Sequence, residues 1–253
     1  MRIARFWLND EARFGVVDGP ELRVLNGHPL VNGLEYTGDR VAMKEVKLLA
    51  PTVPSKIVCI GKNYAAHAAE IGEEVPDEPL IFLKPSTSIV GPGDSIVLPW
   101  QSEHVDLECE LTIVIGKITK NIEPEDVDAH IWGYTIANDV TARDLQFEDG
   151  QWARSKGFDT FCPLGPWIET EFEVEGATLE SRINGEVIQH ADTTDMVFNV
   201  RDIVSHVSKN MTLLPGDIIL TGSPAGITPI KNGDIIECEI EGIGTLLNPV
   251  QSQ

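Results

Sequence analysis

Basic residues are scarce in this chain. Lysine and arginine together number 19 against 40 aspartates and glutamates, which gives a net charge of −21. A surface this acidic argues against binding to nucleic acid or to an anionic membrane by charge. It also makes individual lysines and arginines informative, because an anionic ligand would need a local positive pocket.

The chain also lacks paired cysteines and long apolar runs. Its four cysteines form no Cys-x-x-Cys motif and stand among apolar neighbours, which predicts buried, reduced thiols and a cytoplasmic location. No segment approaches the roughly 20 apolar residues of a membrane span. The N-terminus, MRIARFWLNDEARFG, has no apolar signal core. Neither a membrane-spanning segment nor a secretion signal is predicted.

Aromatic residues make up only 6% of the 253 residues, whereas 22 glycines and 16 prolines recur every few positions. This composition predicts many short strands and turns around a sizeable core. Gly-Asp followed by an apolar strand recurs three times, as in a β-roll. Residues 1–50 are predicted to form a small β-rich N-terminal domain. Pro51 and Pro54 predict a linker, and residues 55–253 are predicted to form the main domain.

The stretch His104–Gly116, HVDLECELTIVIG, is the most informative part of the sequence. Its apolar run Leu111–Ile115 predicts a buried strand. Because strand side chains alternate between faces, Glu108 and Glu110 should point one way and Cys109 the other. Two neighbouring buried carboxylates repel each other unless a cation lies between them, which predicts a divalent metal.

A Glu-x-Glu pair taken alone indicates a solvated strand face more often than a metal site. The same tripeptide recurs as Glu237-Cys238-Glu239, where alternation with apolar residues predicts a half-buried strand with an acidic outer face. The first copy differs because a third acid, Asp139, ends a later strand. Three carboxylates would suit Mg²⁺ or Mn²⁺, although Asp139 could instead cap a helix beginning VTARDLQ.

Two further candidates lie earlier in the chain. A short Ala-rich helix over Tyr64–Ile71 places His67 and Glu70 on one face. A glutamate that orients a histidine is half of a general-base arrangement, but the spacing alone favours an ordinary exposed pair. Lys84 ends an apolar strand, so its ammonium either reaches an anion or extends to solvent.

The remaining candidates follow Asp139. Arg143 and Gln146 share one side of the helix, if it forms. Lys156 lies in a segment rich in glycine, proline and aromatics, typical of a pocket wall or a packed loop. Thr221 opens a TGSP turn whose backbone N–H groups could hold a carboxylate or simply form the turn. Asn184-Gly185 predicts a two-residue hairpin turn. The other histidines show no ligand spacing: His28, His104, His130, His190 and His206.

Together these motifs resemble the fumarylacetoacetate hydrolase family, in the branch of acylpyruvate hydrolases, oxaloacetate decarboxylases and hydroxyheptadienedioate isomerases. The resemblance runs in order and spacing from about residue 55 to residue 248. The segments that carry it are GKNYAAHAAE (61–70), FLKPSTS (82–88), HVDLECEL (104–111), NDVTARDLQ (138–146), SKGFDTFCPLGP (155–166), INGE (183–186) and GDIILTGSPAG (216–226).

The resemblance implies a mainly β protein with short helices, folded as a mixed β-sandwich roll and usually homodimeric. It implies that Glu108, Glu110 and Asp139 bind Mg²⁺ or Mn²⁺. By the same analogy His67 and Glu70 form a dyad that activates water, and Lys156 joins the metal in stabilising negative charge. The positions that match substrate-binding or polarising residues are Lys84, Arg143, Gln146, Lys156 and Thr221.

The predicted function is metal-dependent C–C cleavage of small 2-oxo or enol dicarboxylates through an enolate. Oxaloacetate decarboxylation needs no nucleophile, whereas acylpyruvate hydrolysis needs activated water. Isomerisation of 2-hydroxyhepta-2,4-diene-1,7-dioate, in which the enolate is reprotonated elsewhere, is the alternative. Two readings from other classes are a catalytically inactive scaffold and a β-sandwich binding module with structural Ca²⁺. Three positive residues, Lys84, Arg143 and Lys156, would have no role in the Ca²⁺ module.

Overall fold

The computed structural model describes residues 1–253 and shows a mainly β protein with short helices, as predicted. The strands, numbered in chain order, are β1 (Arg2–Leu8), β2 (Glu11–Asp18), β3 (Glu21–Leu25), β4 (Tyr36–Ala42), β5 (Lys47–Leu49), β6 (Ile57–Gly61), β7 (Leu80–Lys84), β8 (Ile89–Val90), β9 (Ile96–Leu98), β10 (Val105–Leu107), β11 (Cys109–Ile115), β12 (Ile131–Asn138), β13 (Thr141–Ala142), β14 (Cys162–Glu169), β15 (Thr178–Ile183), β16 (Glu186–Asp192), β17 (Ile218–Leu220), β18 (Thr228–Pro229), β19 (Ile235–Ile240) and β20 (Gly244–Ser252).

The helices are short, and none is long and apolar enough to cross a membrane. The longest one follows Asn199, whose side chain accepts the N–H groups of Arg201 and Asp202 and so caps the helix. The α-helices are α1 (Pro29–Asn32), α2 (Ala65–Glu70), α3 (Arg143–Asp149), α4 (Ala153–Lys156) and α5 (Val200–Asn210). The 3₁₀ helices are Met43–Glu45, Ser86–Ser88, Pro124–His130 and Thr193–Asp195.

The strands form three sheets. The 12-stranded sheet has the order β4-β3-β2-β1-β14-β12-β11-β17-β6-β7, with β5 pairing β1 and β8 pairing β14. A 5-stranded sheet has the order β16-β15-β19-β20-β9, and a 3-stranded sheet the order β13-β10-β18. Parallel pairs such as β17–β6 and β20–β9 occur among antiparallel ones, so both larger sheets are mixed, as predicted.

The main core is formed by residues of the two larger sheets. Leu111 and Ile113 of β11 belong to the same apolar cluster as Leu179 and Ile240 of the 5-stranded sheet. On its other face β11 contributes Val114 to a second apolar cluster. Both faces of β11 are therefore covered, which is why its sequence is a nearly continuous apolar run.

The N-terminal strands extend the largest sheet. β1 pairs with β14 through Arg2–Glu169 and Ile3–Ile168, and its Phe6 packs with Leu22 in a small cluster of its own. The division into residues 1–50 and 55–253 stays a prediction.

Two predicted kinds of turn are confirmed. Asn184 and Gly185 link β15 to β16 with φ angles of 54° and 83°, the left-handed values that a two-residue hairpin turn requires. In each Gly-Asp turn the aspartate carboxylate accepts the N–H group three residues earlier. The three pairs are Gly91–Asp94, Leu214–Asp217 and Lys231–Asp234.

Candidate active site

The three predicted metal ligands meet where two strands of the largest sheet run side by side. Glu108 lies in the break between β10 and β11, Glu110 is the second residue of β11, and Asp139 follows the last residue of β12. Cys109 pairs with Asn138 in the ladder, and the N–H of Asp139 donates to the carbonyl of Glu108 at 2.8 Å. One carboxylate oxygen from each acid lies within 4.8 Å of the other two.

These carboxylates are buried on the side that strand alternation predicts. Glu108, Glu110 and Asp139 are each no more than 3% exposed. Cys109, the residue between the two glutamates, packs instead into the main core with Leu111. The first Glu-Cys-Glu copy is thus a buried acidic cluster and not a solvated face.

Two buried lysines contact the cluster. Nζ of Lys156 donates to Glu108 at 2.8 Å and to Asp139 at 2.6 Å. Nζ of Lys84 donates to Asp139 at 2.5 Å and to the carbonyl of Val140 at 3.2 Å. The side chain of Lys84 is fully buried, so the alternative of an edge lysine extending to solvent is wrong.

Glu110 differs from its neighbours because no cation contacts it. Its carboxylate accepts only the N–H of Gly222, at 2.7 Å. Burial, together with the charges of Asp139 and Glu108, raises the pKa of Glu110 well above its ordinary value. Burial would also raise the pKa of Glu108, but Lys156 and Arg143 outweigh it and lower that pKa.

The cluster fits a hard divalent ion. It offers three carboxylate oxygens at close range, and Glu110 in particular lacks the positive charge that a buried carboxylate needs. Oxygen ligands of this kind suit Mg²⁺ and Mn²⁺. Glu108, Glu110 and Asp139 are therefore the residues that would hold the ion.

Arg143 joins the cluster from the start of α3. Its Nη1 donates to Gln146 at 2.7 Å, which confirms that the two share one side of the helix. Its Nη2 donates to Glu108, and its Nε donates to Asp106 at 2.8 Å. Sequence reasoning missed Asp106, although it stands two residues before Glu108 in an alternating pattern that could have revealed it. His104, for which the spacing suggested no role as a ligand, contacts Asp106 at 2.9 Å.

His67 and Glu70 lie on α2, as predicted. His67 is buried and lines the pocket, so the interpretation as an ordinary exposed pair is wrong for this residue. Its Nδ1 lies 3.4 Å from Glu70 Oε2. The Glu70 carboxylate also accepts the N–H of Gly226, at 3.0 and 3.2 Å.

Most of the predicted residues line one common pocket, namely His67, Glu108, Glu110, Asp139, Arg143, Gln146 and Lys156. Lys84, Glu70 and Thr221 do not line it, and the hydroxyl of Thr221 donates to the carbonyl of Leu111 at 3.0 Å. A larger surface groove of about 720 Å³, beside Tyr134 and Arg201, contains none of the predicted residues.

Two aromatic side chains form part of the pocket wall. Trp152 opens the aromatic-rich segment around Lys156 that predicted a pocket wall or a packed loop, whereas sequence reasoning gave Phe82 no role. The Phe82 ring centroid lies 5.1 Å from Nζ of Lys156. Phe82 also packs edge-on against Trp152 at 5.0 Å. An apolar, aromatic wall beside a buried ammonium strengthens electrostatic interactions inside the pocket, because it limits access of water.

Comparisons with known proteins match the whole chain. The family model for the fumarylacetoacetate (FAA) hydrolase C-terminal domain matches residues 56–251, and that for the Rv2993c-like N-terminal domain matches residues 1–51. Protein Rv2993c of Mycobacterium tuberculosis is 48% identical over 99% of this chain and 98% of its own length. The mitochondrial oxaloacetate tautomerase FAHD2A of Homo sapiens is 48% identical over 81% of this chain and 70% of its own length.

Solved structures agree with these matches. The 5-carboxymethyl-2-hydroxymuconate delta-isomerase of Mycobacterium smegmatis is 45% identical, with a TM-score of 0.93 and coverage of 100% of both chains. The maleylpyruvate hydrolase of Sphingobium sp. SYK-6, in complex with manganese (II) ion and pyruvate, is 31% identical. Its TM-score is 0.82, with 100% of this chain and 99% of that chain covered.

Proposed function

The chain belongs to the fumarylacetoacetate hydrolase family, and from that premise we propose a divalent-metal-dependent enzyme that moves a proton on a small 2-oxo dicarboxylate such as oxaloacetate. In the enol-to-keto direction the enol oxygen loses its proton and C3 gains one. The observation that carries the proposal is the buried cluster of Glu108, Glu110 and Asp139 beside the ammonium of Lys156.

A divalent ion held by these carboxylates would act as a Lewis acid that stabilises negative charge on the 2-oxo group. Mn²⁺ or Mg²⁺ is proposed from the all-oxygen donor set, supported by the manganese bound in the related maleylpyruvate hydrolase.

Lys156 supplies a fixed positive charge at the same place. Burial alone would lower the pKa of its ammonium, but the carboxylates of Asp139 and Glu108 outweigh burial and the net pKa is raised. With no ion bound, these carboxylates therefore favour the charged form of Lys156. It acts as an electrostatic stabiliser of the developing enolate and not as a base.

Arg143 is suited to hold a substrate carboxylate. A guanidinium has five N–H groups, and those of Arg143 donate one bond each to Asp106, Gln146 and Glu108. Two N–H groups are left for an anion, and the three existing bonds fix the orientation of the plane that carries them.

His67 is the proposed proton carrier. It lines the pocket, and its Nδ1 faces Glu70, so Nε2 is the nitrogen left to give a proton to C3 or take one from it. The bond from the N–H of Gly226 fixes the Glu70 carboxylate, which in turn orients the imidazole.

Proton transfer is preferred to C–C cleavage because relatives named tautomerase or isomerase reach 45–48% identity, whereas the maleylpyruvate hydrolase is 31% identical. Acylpyruvate hydrolysis is the second candidate, since His67 could equally activate a water molecule. A structural Ca²⁺ module is disfavoured because Lys84, Arg143 and Lys156 are buried around the carboxylates.

The decisive experiment compares three outcomes on one protein sample. Enol-to-keto conversion of oxaloacetate, formation of pyruvate from it and loss of acetylpyruvate are followed by ultraviolet absorbance with Mn²⁺, Mg²⁺ or EDTA. We expect metal-dependent conversion of the enol well above the metal-only blank, without matching pyruvate formation. If pyruvate formation or acetylpyruvate loss were faster than enol-to-keto conversion, cleavage would be the main reaction. If the protein accelerated none of the three reactions, the proposal would be refuted.

The duplicated tripeptide provides a matched pair of variants. Glu110→Gln removes a buried ligand, so Mn²⁺ affinity and turnover should fall by more than about 100-fold, because even outer partners of a metal site contribute 10- to 100-fold. Glu239→Gln changes the half-exposed copy of the tripeptide and should leave Mn²⁺ affinity and turnover unchanged. Calorimetric titration with Mn²⁺ and the enol assay measure the two effects, and equal behaviour of the two variants would contradict the metal assignment.

A further inference from the structure

One buried amide connects separate segments of the active site. Gln189 of β16 is fully buried, and its Oε1 accepts the N–H of Cys109 at 3.0 Å and the hydroxyl of Ser181 at 3.0 Å. Its Nε2 donates to the hydroxyl of Ser223 and to the carbonyl of Pro224, both at 2.8 Å. All four hydrogen-bonding positions of the amide are therefore in use.

The first connection reaches the strand that carries the acidic cluster. Cys109 separates Glu108 from Glu110, and its N–H points to Gln189 across the gap between two sheets. β16 is an edge strand of the 5-stranded sheet, whereas β11 belongs to the 12-stranded sheet. The amide thus fixes the backbone between the two glutamates from a sheet to which neither belongs.

The second connection reaches the loop after β17. In this loop the N–H of Gly222 donates to Glu110 and the N–H of Gly226 donates to Glu70. Ser223 and Pro224, the partners of Gln189, lie between these two donors. The loop is pressed against β16, since a Cβ atom on Gly226 would lie 2.4 Å from the carbonyl oxygen of Ile188.

We propose that Gln189 is a positioning residue that holds the backbone of the metal ligands and the loop over Glu110 in one arrangement, so that affinity for the divalent ion depends on it. The inference rests on the proposed function. Removing the amide leaves the buried N–H of Cys109 without a partner and leaves the carbonyl of Pro224 with only the hydroxyl of Ser223, at 3.3 Å, so the two segments relax. The carboxylate of Glu110 is then no longer held in place by both its own strand and its hydrogen bond from the N–H of Gly222.

The test measures Mn²⁺ affinity directly, by calorimetry or by the electron paramagnetic resonance signal of free Mn²⁺, without substrate. Gln189→Met keeps the length and volume but removes all four hydrogen bonds. We expect Mn²⁺ to bind about 10-fold or more weakly, the size of effect that outer partners of metal sites have. At saturating Mn²⁺ the kcat should stay below that of the parent.

Ser181→Ala is the control. It removes the hydroxyl in the neighbouring strand β15 that donates to the amide and accepts the backbone N–H of Gln189, but it keeps the amide bonds to Cys109, Ser223 and Pro224. It should therefore lower the thermal midpoint and leave Mn²⁺ affinity unchanged. If Gln189→Met does not fold, as judged by circular dichroism, Gln189→Glu replaces it. That isostere keeps an acceptor for Cys109 but loses donor capacity toward Ser223 and Pro224, and it too should bind Mn²⁺ more weakly.

The outcomes separate this inference from the proposed function. A folded Gln189 variant with a lowered thermal midpoint but the Mn²⁺ affinity of the parent would overturn the positioning role. If the parent protein itself bound no Mn²⁺, the proposed metal site would be the part that fails. Weakened Mn²⁺ binding in the Gln189 variant and in Ser181→Ala alike would also overturn the inference, since it would indicate general loosening.

Discussion

The two Glu-Cys-Glu copies show that the surroundings of a residue decide its chemistry. In the second copy Glu239 pairs with Arg182 at 2.7 Å at the surface, and both glutamates of that copy stay partly exposed. In the first copy the strand is covered on both faces, so Glu110 is buried without a cation. A surface ion pair contributes little to stability, whereas burial of a charged carboxylate is costly in free energy unless a cation pairs with it.

At the same scale we predict the role of His67. His67→Ala should slow enol-to-keto conversion of oxaloacetate and hydrolysis of acetylpyruvate by about 100-fold or more, the usual contribution of a proton carrier. Any decarboxylation of oxaloacetate should be affected much less, because it needs no activated water. Parallel steady-state assays measure this, with the exposed His190→Ala as control. Equal losses on all three reactions would contradict the role.

At the scale of helices and strands, the sequence predicted those features that depend on residues close together in the chain. The hairpin at Asn184-Gly185, the shared side of Arg143 and Gln146 on α3, and the end of β12 before Asp139 follow from local patterns. The burial of Lys84 does not, because it results from an ion pair with a residue 55 positions away.

Gln189 illustrates the same limit. Its bond to the N–H of Cys109 spans 80 positions, and it exists only because the edge of one sheet packs against a strand of another. No periodicity within β16 carries that information. Most of the residues that the family resemblance named line the pocket. The resemblance left out Asp106 and Gln189, which act through other side chains or backbone.

The loop after β17 gives a prediction at this scale. Gly222 has φ +103°, and a Cβ atom there would lie 2.7 Å from Cβ of Asn63. Gly222→Ala should therefore lower the free energy of unfolding by more than Gly176→Ala. That control has φ +80° with nothing within 4 Å, so it should cost only the roughly 1–2 kcal/mol of left-handed strain.

Urea unfolding and Mn²⁺ titration measure the difference between the two glycine variants. Because the N–H of Gly222 binds Glu110, only Gly222→Ala should also weaken Mn²⁺ binding. Identical unfolding free energies in the two variants would show that the close approach of Gly222 to Asn63 is unimportant for stability. Identical Mn²⁺ affinities would show the same for the bond from Gly222 to Glu110.

At the scale of the whole molecule, a buried aspartate joins the segment before β6 to the turn before β17. Asp217 accepts bonds from the N–H and hydroxyl of Ser55 and contacts the ammonium of Lys56. It lies just before β17, so it joins the segment that follows the N-terminal strands to the strand beside the active site. The homodimer that the family resemblance implies stays a prediction at this scale.

Asp217 should contribute stability that depends on pH. Burial would raise its pKa, but Lys56, the N–H of Leu214 and Ser55 outweigh burial, and the pKa is lowered. A lowered pKa in the folded state means that the contribution is full above the ordinary aspartate value of about 3.9 and is lost as the pH falls through the folded-state pKa.

Asp217→Asn should therefore lower the free energy of unfolding by about 1–3 kcal/mol at pH 7, and the difference from the parent should shrink in acid. Asp234→Asn is the matched control, because Asp234 occupies the same kind of Gly-Asp turn but is only half-buried. Urea unfolding at several pH values tests this. If the difference in unfolding free energy persisted unchanged at pH values well below the ordinary aspartate pKa, the predicted role of Asp217 would be contradicted.

The buried cations in and beside the pocket have a consequence for the rate at which substrate arrives. Lys84, Lys156 and Arg143 lie beneath the surface of a chain whose net charge is −21. A dianion in solution is repelled by that surface and meets the attraction of the pocket only within about 8 Å, the screening length at physiological ionic strength. Salt weakens the outer repulsion more than it weakens buried pairs. Encounter should therefore become faster as ionic strength rises, the opposite of what is seen for electrostatically steered association.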